Sequence, residues 1–132
     1  MPETPSVKKQ VIMTEKAAQP IGPYSQAIQA GGFVFVAGEK GIDPQTGKMA
    51  VGIQAQTRQT LENIRVILEA AGSSLDDAVA TTVYLVHIED FQAMNEVYAQ
   101  YFGKDPPGRT TVAVSALPAG ALVEIQCTAL AL

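Results

Sequence analysis

The sequence has little cysteine, little histidine and little positive charge, and each scarcity excludes a class of protein. A single cysteine, Cys127, rules out an internal disulfide and a thiolate metal cluster. A single histidine, His87, leaves too few imidazole ligands for a zinc or non-haem iron site. The net charge is −4 and Lys8-Lys9 is the only basic pair, so no surface is expected to neutralise several phosphates. The sequence therefore predicts neither a metal site nor a nucleic-acid partner.

Long hydrophobic runs are also missing, which bears on location and domain organisation. Residues 17–38 contain no charge, but prolines, glutamines and Gly31-Gly32 divide them into short strand-like pieces rather than a membrane span. Residues 1–10 are polar and lack the apolar centre of a secretory signal. We expect a flexible tail over residues 1–8, one domain over residues 9–132 and a cytoplasmic location.

Two segments have the periodicity of amphipathic helices. Apolar and small residues recur at helical spacing on one face of residues 53–71. The other face carries a ladder of opposite charges, Arg58, Glu62, Arg65 and Glu69. Residues 89–102 begin with acids at the positive end of a helix and end before Gly103. The residues expected to be buried in this second helix are Phe91, Met94, Tyr98 and either Tyr101 or Phe102.

Runs of β-branched and aromatic residues predict the strands. They are expected at residues 11–13, 25–30, 33–37, 78–88, 110–116 and 122–130. Two helices can cover only one face of such a sheet, yet several strands are apolar on both faces. An uncovered apolar face predicts a partner surface, so we expect a homo-oligomer that packs its sheets together.

Arg109 begins a predicted strand directly after Pro106-Pro107-Gly108. A guanidinium fixed between a stiff turn and a strand suits a small carboxylate ligand, because its planar fork matches carboxylate geometry. The other two arginines, Arg58 and Arg65, are predicted to face solvent on a helix. A structural salt bridge that anchors the loop is the alternative for Arg109, and the residues alone leave both interpretations open.

Glu124, Tyr24 and Asn95 are further candidates for a site. Glu124 interrupts the otherwise apolar last strand, which we expect to neighbour the strand of Arg109. The alternative to a functional role is a charge that protects a sheet edge from aggregation. Tyr24 follows Gly22-Pro23, which fixes a tight extended loop, and a half-buried aromatic is its alternative. Asn95 lies beside the apolar stripe of the second helix, where a buried amide bonded to local backbone is its alternative.

Five short segments, in this order and at these spacings, carry a resemblance to a known family. They are Ile21-Gly22-Pro23-Tyr24-Ser25, Asp43-Pro44 with Thr46-Gly47, Asn95-Glu96-Val97-Tyr98, Pro106-Pro107-Gly108-Arg109-Thr110-Thr111-Val112 and Val123-Glu124-Ile125. Together they resemble the Rid family of reactive intermediate deaminases, also called the YjgF family. The resemblance runs from about residue 12 to residue 131, and Arg109 matches the archetypal, arginine-containing branch.

The resemblance implies a fold, an assembly and an activity. The fold is a chorismate-mutase-like α+β fold, a mixed β-sheet with two helices on one face, assembled as a homotrimer with sites between subunits. The activity is that of a cofactor-free hydrolase, which converts 2-iminopropanoate and 2-iminobutanoate to 2-oxo acids and ammonia and so limits enamine and imine damage. In that family the residue matching Arg109 holds the substrate carboxylate.

Further roles follow for the other candidates. Glu124 would act on the attacking water as the second catalytic residue. The residues expected to bind substrate or shape the cleft are Tyr24, Gly38, Asn95 and Thr111. Ala37-Gly38-Glu39 stands where many relatives have Ser-Gly-Gln. Ala37 therefore lacks the serine hydroxyl, and the negative charge of Glu39 would oppose anion binding if Glu39 entered the cleft.

Two alternative functions compete with the deaminase. One is a non-catalytic trimeric sensor of small 2-oxo or amino acids, which the changes at Ala37 and Glu39 slightly favour. The other is a translation inhibitor or ribonuclease, which the acidic balance and the lone His87 disfavour.

Overall fold

The strands and helices follow one another in the predicted order. In the computed structural model, which describes residues 8–132, the strands are β1 (Gln10–Ile12), β2 (Ala27–Ala30), β3 (Phe33–Lys40), β4 (Ala78–Leu85), β5 (Gly108–Ala113) and β6 (Val123–Leu130). The helices are α1 (Ile53–Ala70) and α2 (Phe91–Tyr101). The expected tail over residues 1–8 falls, except for Lys8, outside the described residues.

The six strands form one sheet in the order β1-β2-β3-β6-β4-β5. All neighbours are antiparallel except β4 and β5, which run parallel because α2 carries the chain back over the sheet between them. This mixed sheet with two helices confirms the predicted α+β class. Since β4 separates β5 from β6, the expectation that Arg109 and Glu124 lie on neighbouring strands is wrong.

The core lies between the helices and one face of the sheet. Alternate residues of β6 face it, as the sequence pattern indicates, and they are Val123, Ile125, Cys127 and Ala129. Helix α1 contributes the predicted Leu61, Ile64, Ile67 and Leu68. It also buries the polar Asn63, whose Nδ2 donates to the carbonyls of Lys40 (3.1 Å) and Ile42 (3.0 Å). These bonds tie the helix to the end of β3.

The charged face of α1 follows the prediction in part. Arg65 pairs with Glu62 at 2.7 Å and with Glu69 at 2.9 Å. Arg58 does not join this ladder but donates to Gln100 of α2 at 3.0 Å. Both arginines lie on the outer side of the helix and are therefore not candidates for a site.

Helix α2 differs from the prediction at its first residue. Met94, Tyr98 and Phe102 are buried as expected, whereas Phe91 is 38% exposed. Phe91 lies in the first turn of the helix, where its ring meets the guanidinium of Arg109 on the edge strand instead of the core. The burial expected for Phe91 is wrong for this reason.

A β-bulge in β3 changes which residues face the helices. Val36 pairs with Cys127, but the next pair is Glu39 with Ile125, so β3 carries one extra residue at this point. Glu39 therefore points toward the helices, and Lys40 points to the opposite, open face beside Glu124. Strict alternation from Val36 would have given the reverse arrangement.

The open face of the sheet is apolar and uncovered within the described chain. Four large apolar residues on this face are between 39% and 44% exposed: Phe33, Phe35, Val112 and Leu130. The two-faced apolar pattern of the sequence is thereby confirmed, and it supports the expectation of a partner surface. Neither helix of the described part has the length and apolar character that crossing a membrane requires.

Candidate functional site

Two separate cavities contain five of the six predicted site residues. The first, called here the Arg109 cavity, has a volume of about 450 Å³ and is lined by Asn95, Tyr98, Ala99, Phe102, Pro106, Pro107 and Arg109. The second, called here the Glu124 cavity, has a volume of about 410 Å³ and is lined by Ile21, Gly22, Pro23, Tyr24, Ala37, Gly38, Lys40, Pro118 and Glu124. Thr111 lines neither and lies two residues beyond Arg109 on β5.

Arg109 is held by aromatic rings instead of by an acid. Its guanidinium carbon lies 4.7 Å from the centroid of the Tyr98 ring and 5.5 Å from that of Phe91. The Tyr98 hydroxyl is itself fixed by a 2.7 Å hydrogen bond with Thr81, and burial raises the pKa of this phenol. Within residues 8–132 no carboxylate lies at ion-pair distance from Arg109, so the structural salt bridge considered as an alternative is not found there. A pre-positioned guanidinium of this kind suits an anionic ligand.

Asn95 lines the same cavity, and its side-chain oxygen is an acceptor without a partner among the described residues. Its Oδ1 is buried and has no hydrogen-bond partner in the described part of the chain. The alternative of an amide bonded to local backbone is therefore not seen at this oxygen. A buried acceptor without a partner costs free energy, which a ligand or a neighbouring subunit can relieve.

The Glu124 cavity places a carboxylate beside a lysine. Oε1 of Glu124 lies 3.5 Å from Nζ of Lys40, and both side chains are largely buried. A Cβ added to Gly38 would lie 2.9 Å from the carboxyl carbon of Glu124, so only glycine leaves room for this carboxylate. Tyr24 closes one side, and its hydroxyl accepts a hydrogen bond from the Ile21 backbone N–H at 3.2 Å.

Glu39 lies on the other side of the sheet and does not line the Glu124 cavity. The β3 bulge turns it toward the helices, where it borders a small space that Tyr24 and Lys40 of the Glu124 cavity also line. Burial raises the pKa of the Glu39 carboxyl to about 8, against the opposing effect of the Lys40 ammonium. Glu39 thus does not line the Glu124 cavity, but it lies near enough for the Glu124 carboxylate to contribute to raising its pKa.

This raised pKa makes stability depend on pH. The carboxyl binds its proton more tightly in the folded chain (pKa about 8) than at its ordinary value of 4.5, so stability falls as the pH rises between these values. We expect Glu39→Gln to raise the Tm by several degrees at pH 8 and to change it little at pH 5. Thermal unfolding at both pH values and one protein concentration measures this, with Glu15→Gln, an exposed site, as the control. An equal shift at both pH values would contradict it.

Arg109 and Glu124 do not meet within one chain. In the sheet register Arg109 lies beside Thr81 and Glu124 beside Tyr84, which places their Cα atoms about 14 Å apart across β4. They also point to opposite faces, since Arg109 contacts α2 whereas Glu124 pairs with Lys40 on the open side. A site that uses both residues must therefore take them from two chains.

Lys40 is the site residue that the sequence did not reveal. Reading β3 as a regular strand places Lys40 on the helix face, away from Glu124. Gly38 is the one local signal that could have corrected this, because a glycine inside a strand often marks a bulge.

The described chain shows neither a cluster of metal ligands nor a reactive thiol. Among residues 8–132 no group of three His, Cys, Asp or Glu side chains is arranged to hold a metal ion. Cys127 is buried in the core, and burial raises the pKa of its thiol to about 12. It is therefore a small core residue and not a nucleophile.

Known proteins resemble this chain over nearly its whole length. A protein-family model described as Endoribonuclease L-PSP matches residues 14–131. A RutC family protein of Pyrococcus horikoshii is 58% identical over 92% of this chain and 97% of its own length. The chloroplastic Reactive Intermediate Deaminase A of Arabidopsis thaliana is 46% identical over 94% of this chain and 67% of its own length. The mouse 2-iminobutanoate/2-iminopropanoate deaminase is 41% identical over 94% of this chain and 93% of its own length.

Solved structures share the fold over nearly their whole length. RidA from the Antarctic bacterium Psychrobacter superposes with a TM-score of 0.90 at 42% identity, covering 92% of this chain and 98% of that one. Escherichia coli TdcF with bound serine superposes with a TM-score of 0.89 at 38% identity, with the same coverage of 92% and 98%.

Proposed function

Because the chain belongs to the endoribonuclease L-PSP family, to which RutC and Rid proteins belong, we propose that it is a deaminase of reactive 2-imino acids. The proposed substrates are 2-iminobutanoate and 2-iminopropanoate, which the mouse relative's name specifies, and the products are 2-oxo acids and ammonia. The observation that carries this proposal is Arg109, a stacked cation with no acid partner among the described residues. A small 2-imino carboxylate supplies the anion that it lacks.

The proposed assembly is a homotrimer with its sites between subunits. Arg109 and Glu124 lie in different cavities of one chain and on opposite faces of its sheet, so a complete site needs two chains. The exposed apolar open face, with Phe33, Phe35 and Leu130, supplies a surface for that association. In a closed ring, the Arg109 cavity of one subunit adjoins the Glu124 cavity of the next.

The proposed mechanism is addition of water to the C=N bond. Arg109 pairs with the substrate carboxylate and orients the imine. The imine reacts in its protonated form, C=NH2⁺. Glu124 removes a proton from the attacking water as its oxygen bonds to the imine carbon, and the C=N π electrons move onto the nitrogen. Glu124 then passes its proton to the nitrogen of the resulting carbinolamine and takes the hydroxyl proton as the C–N bond breaks. This step releases ammonia and the 2-oxo acid, and loss of that proton to water restores the carboxylate. No electrons are exchanged, so water is the only co-reactant that the reaction needs.

Binding of a small carboxylate is also supported by a relative. The solved structure of Escherichia coli TdcF contains serine, whose α-carboxylate is of the size and charge that Arg109 would accept. In this chain Asn95 lines the same cavity, and its side chain is proposed to shape the wall around the substrate. Tyr24, Gly38 and Thr111 are proposed to complete the cleft.

Release of ammonia from a freshly formed imine tests the proposal. A threonine dehydratase generates 2-iminobutanoate in the cuvette, and the wild-type chain is expected to accelerate formation of ammonia and 2-oxobutanoate above the rate in buffer. Lactate dehydrogenase or a dye for ammonia follows the reaction. No acceleration, together with saturable binding of a 2-oxo acid, would instead support the non-catalytic sensor.

An endoribonuclease, which the family description names, fits this chain less well. His87 is the only histidine of the sequence, and its exposed side chain lines neither of the two cavities. The net charge of −4 is also unfavourable for RNA binding.

A further inference from the structure

Lys40 is a buried lysine whose place in the fold needs an explanation. Its side chain is 7% exposed, and an ammonium removed from water is costly unless charged or polar groups surround it. The bulge in β3 turns it to the open face, where it lines the Glu124 cavity. The Lys40 ammonium therefore points into the Glu124 cavity and not toward bulk solvent.

The ammonium has two hydrogen-bond partners in the described chain. Nζ donates to the Gly38 carbonyl at 3.2 Å and to Oε1 of Glu124 at 3.5 Å. The Tyr24 ring lies 5.9 Å from the same nitrogen. Glu124 is thus the only carboxylate at ion-pair distance from Lys40 in residues 8–132.

The carboxylate of Glu124 is in turn fixed from two sides. Lys40 holds Oε1, and the absence of a side chain at Gly38 leaves the space that the rest of the carboxylate fills. No other hydrogen bond to this carboxylate is found in the part of the chain that the structure describes. Its orientation therefore depends on the lysine.

Glu39 does not compete for the lysine near neutral pH. It is adjacent in sequence and interacts with Lys40 electrostatically, but burial raises the pKa of its carboxyl to about 8. At pH 7 it is mostly protonated, so Lys40 and Glu124 form the charged pair.

We infer that Lys40 is a positioning residue that holds the Glu124 carboxylate in the geometry required to act on water. This inference rests on the proposed imine hydrolysis. In this role Lys40 acts through Glu124, with which it pairs, whereas Arg109 of a neighbouring chain binds the substrate carboxylate. Its loss should therefore slow the chemical step more than it weakens substrate binding.

Steady-state kinetics of Lys40→Met in the coupled dehydratase assay test this. Methionine keeps the length of the side chain and removes the ammonium, and we expect kcat to fall roughly 10- to 100-fold with KM changed by less than about 3-fold. Lys40→Arg, which can still donate to Glu124, should recover most of the lost kcat. Lys48→Met, at an exposed turn, is the matched control and should behave as wild type.

The outcomes separate this inference from the proposed function. A wild-type chain without activity overturns both. An active wild type with an unchanged kcat in Lys40→Met, or with a raised KM alone, overturns only the positioning role. If Lys40→Met fails to fold, as seen in its thermal unfolding, Lys40→Gln decides: a kcat equal to wild type contradicts the inference, and a lowered kcat at unchanged KM supports it.

Discussion

Replacing Arg109 by alanine is expected to lower kcat/KM for imine hydrolysis about 30- to 5,000-fold. The guanidinium is pre-positioned between the rings of Tyr98 and Phe91, so the substrate carboxylate meets a cation that needs no reorganisation. Without it, the carboxylate would lose its partner while remaining in the cavity. The coupled dehydratase assay measures the loss after subtraction of hydrolysis in buffer.

Two further variants show whether charge or geometry matters at this position. Arg109→Lys keeps the positive charge but loses the planar fork and its stacking, so it should recover only a minor part of the activity. Arg58→Ala removes an arginine that bonds only to Gln100 on the outer surface and should leave the rate unchanged. Full activity of Arg109→Ala in a correctly assembled protein would refute the role of Arg109 as a carboxylate clamp.

Local patterns in the sequence were sufficient to predict the elements of this fold. The helical spacing from Leu61 to Leu68 and the alternation along β6 are local properties, and both predict the buried face correctly. The open apolar face was predicted in the same way, because the strands are apolar on both sides while only two helices are present. Such signals need no knowledge of which strand pairs with which.

Features that depend on pairing between distant segments were missed. The bulge in β3 arises from its register with β6, and it alone decides that Lys40, not Glu39, accompanies Glu124. The position of β4 between β5 and β6 likewise cannot be read from the chain order, so Arg109 and Glu124 were placed too close together. The exposed Phe91 is a third case, because its contact with Arg109 depends on the docking of α2 against an edge strand.

The separation of Arg109 and Glu124 within one chain leads to a test of the site between subunits. Arg109→Ala and Glu124→Gln each remove one member, so each variant alone should be almost inactive. When the two are co-expressed in equal amounts, each proposed site draws Arg109 from one subunit and Glu124 from its neighbour. About one quarter of the sites then contain both intact residues, if subunits mix at random in a cyclic trimer.

Activity in the mixed protein should therefore rise from background to about one quarter of the wild-type value, which no arrangement of both residues within one chain can produce. Native mass spectrometry of differently tagged chains establishes that mixed trimers have formed. A mixture of Arg109→Ala with the Arg109→Ala, Glu124→Gln double variant is the control, since Arg109 is then absent from every subunit and activity should stay at background. Mixed trimers that remain inactive would show that the two residues do not share a site, and Arg109 would then bind its carboxylate without Glu124.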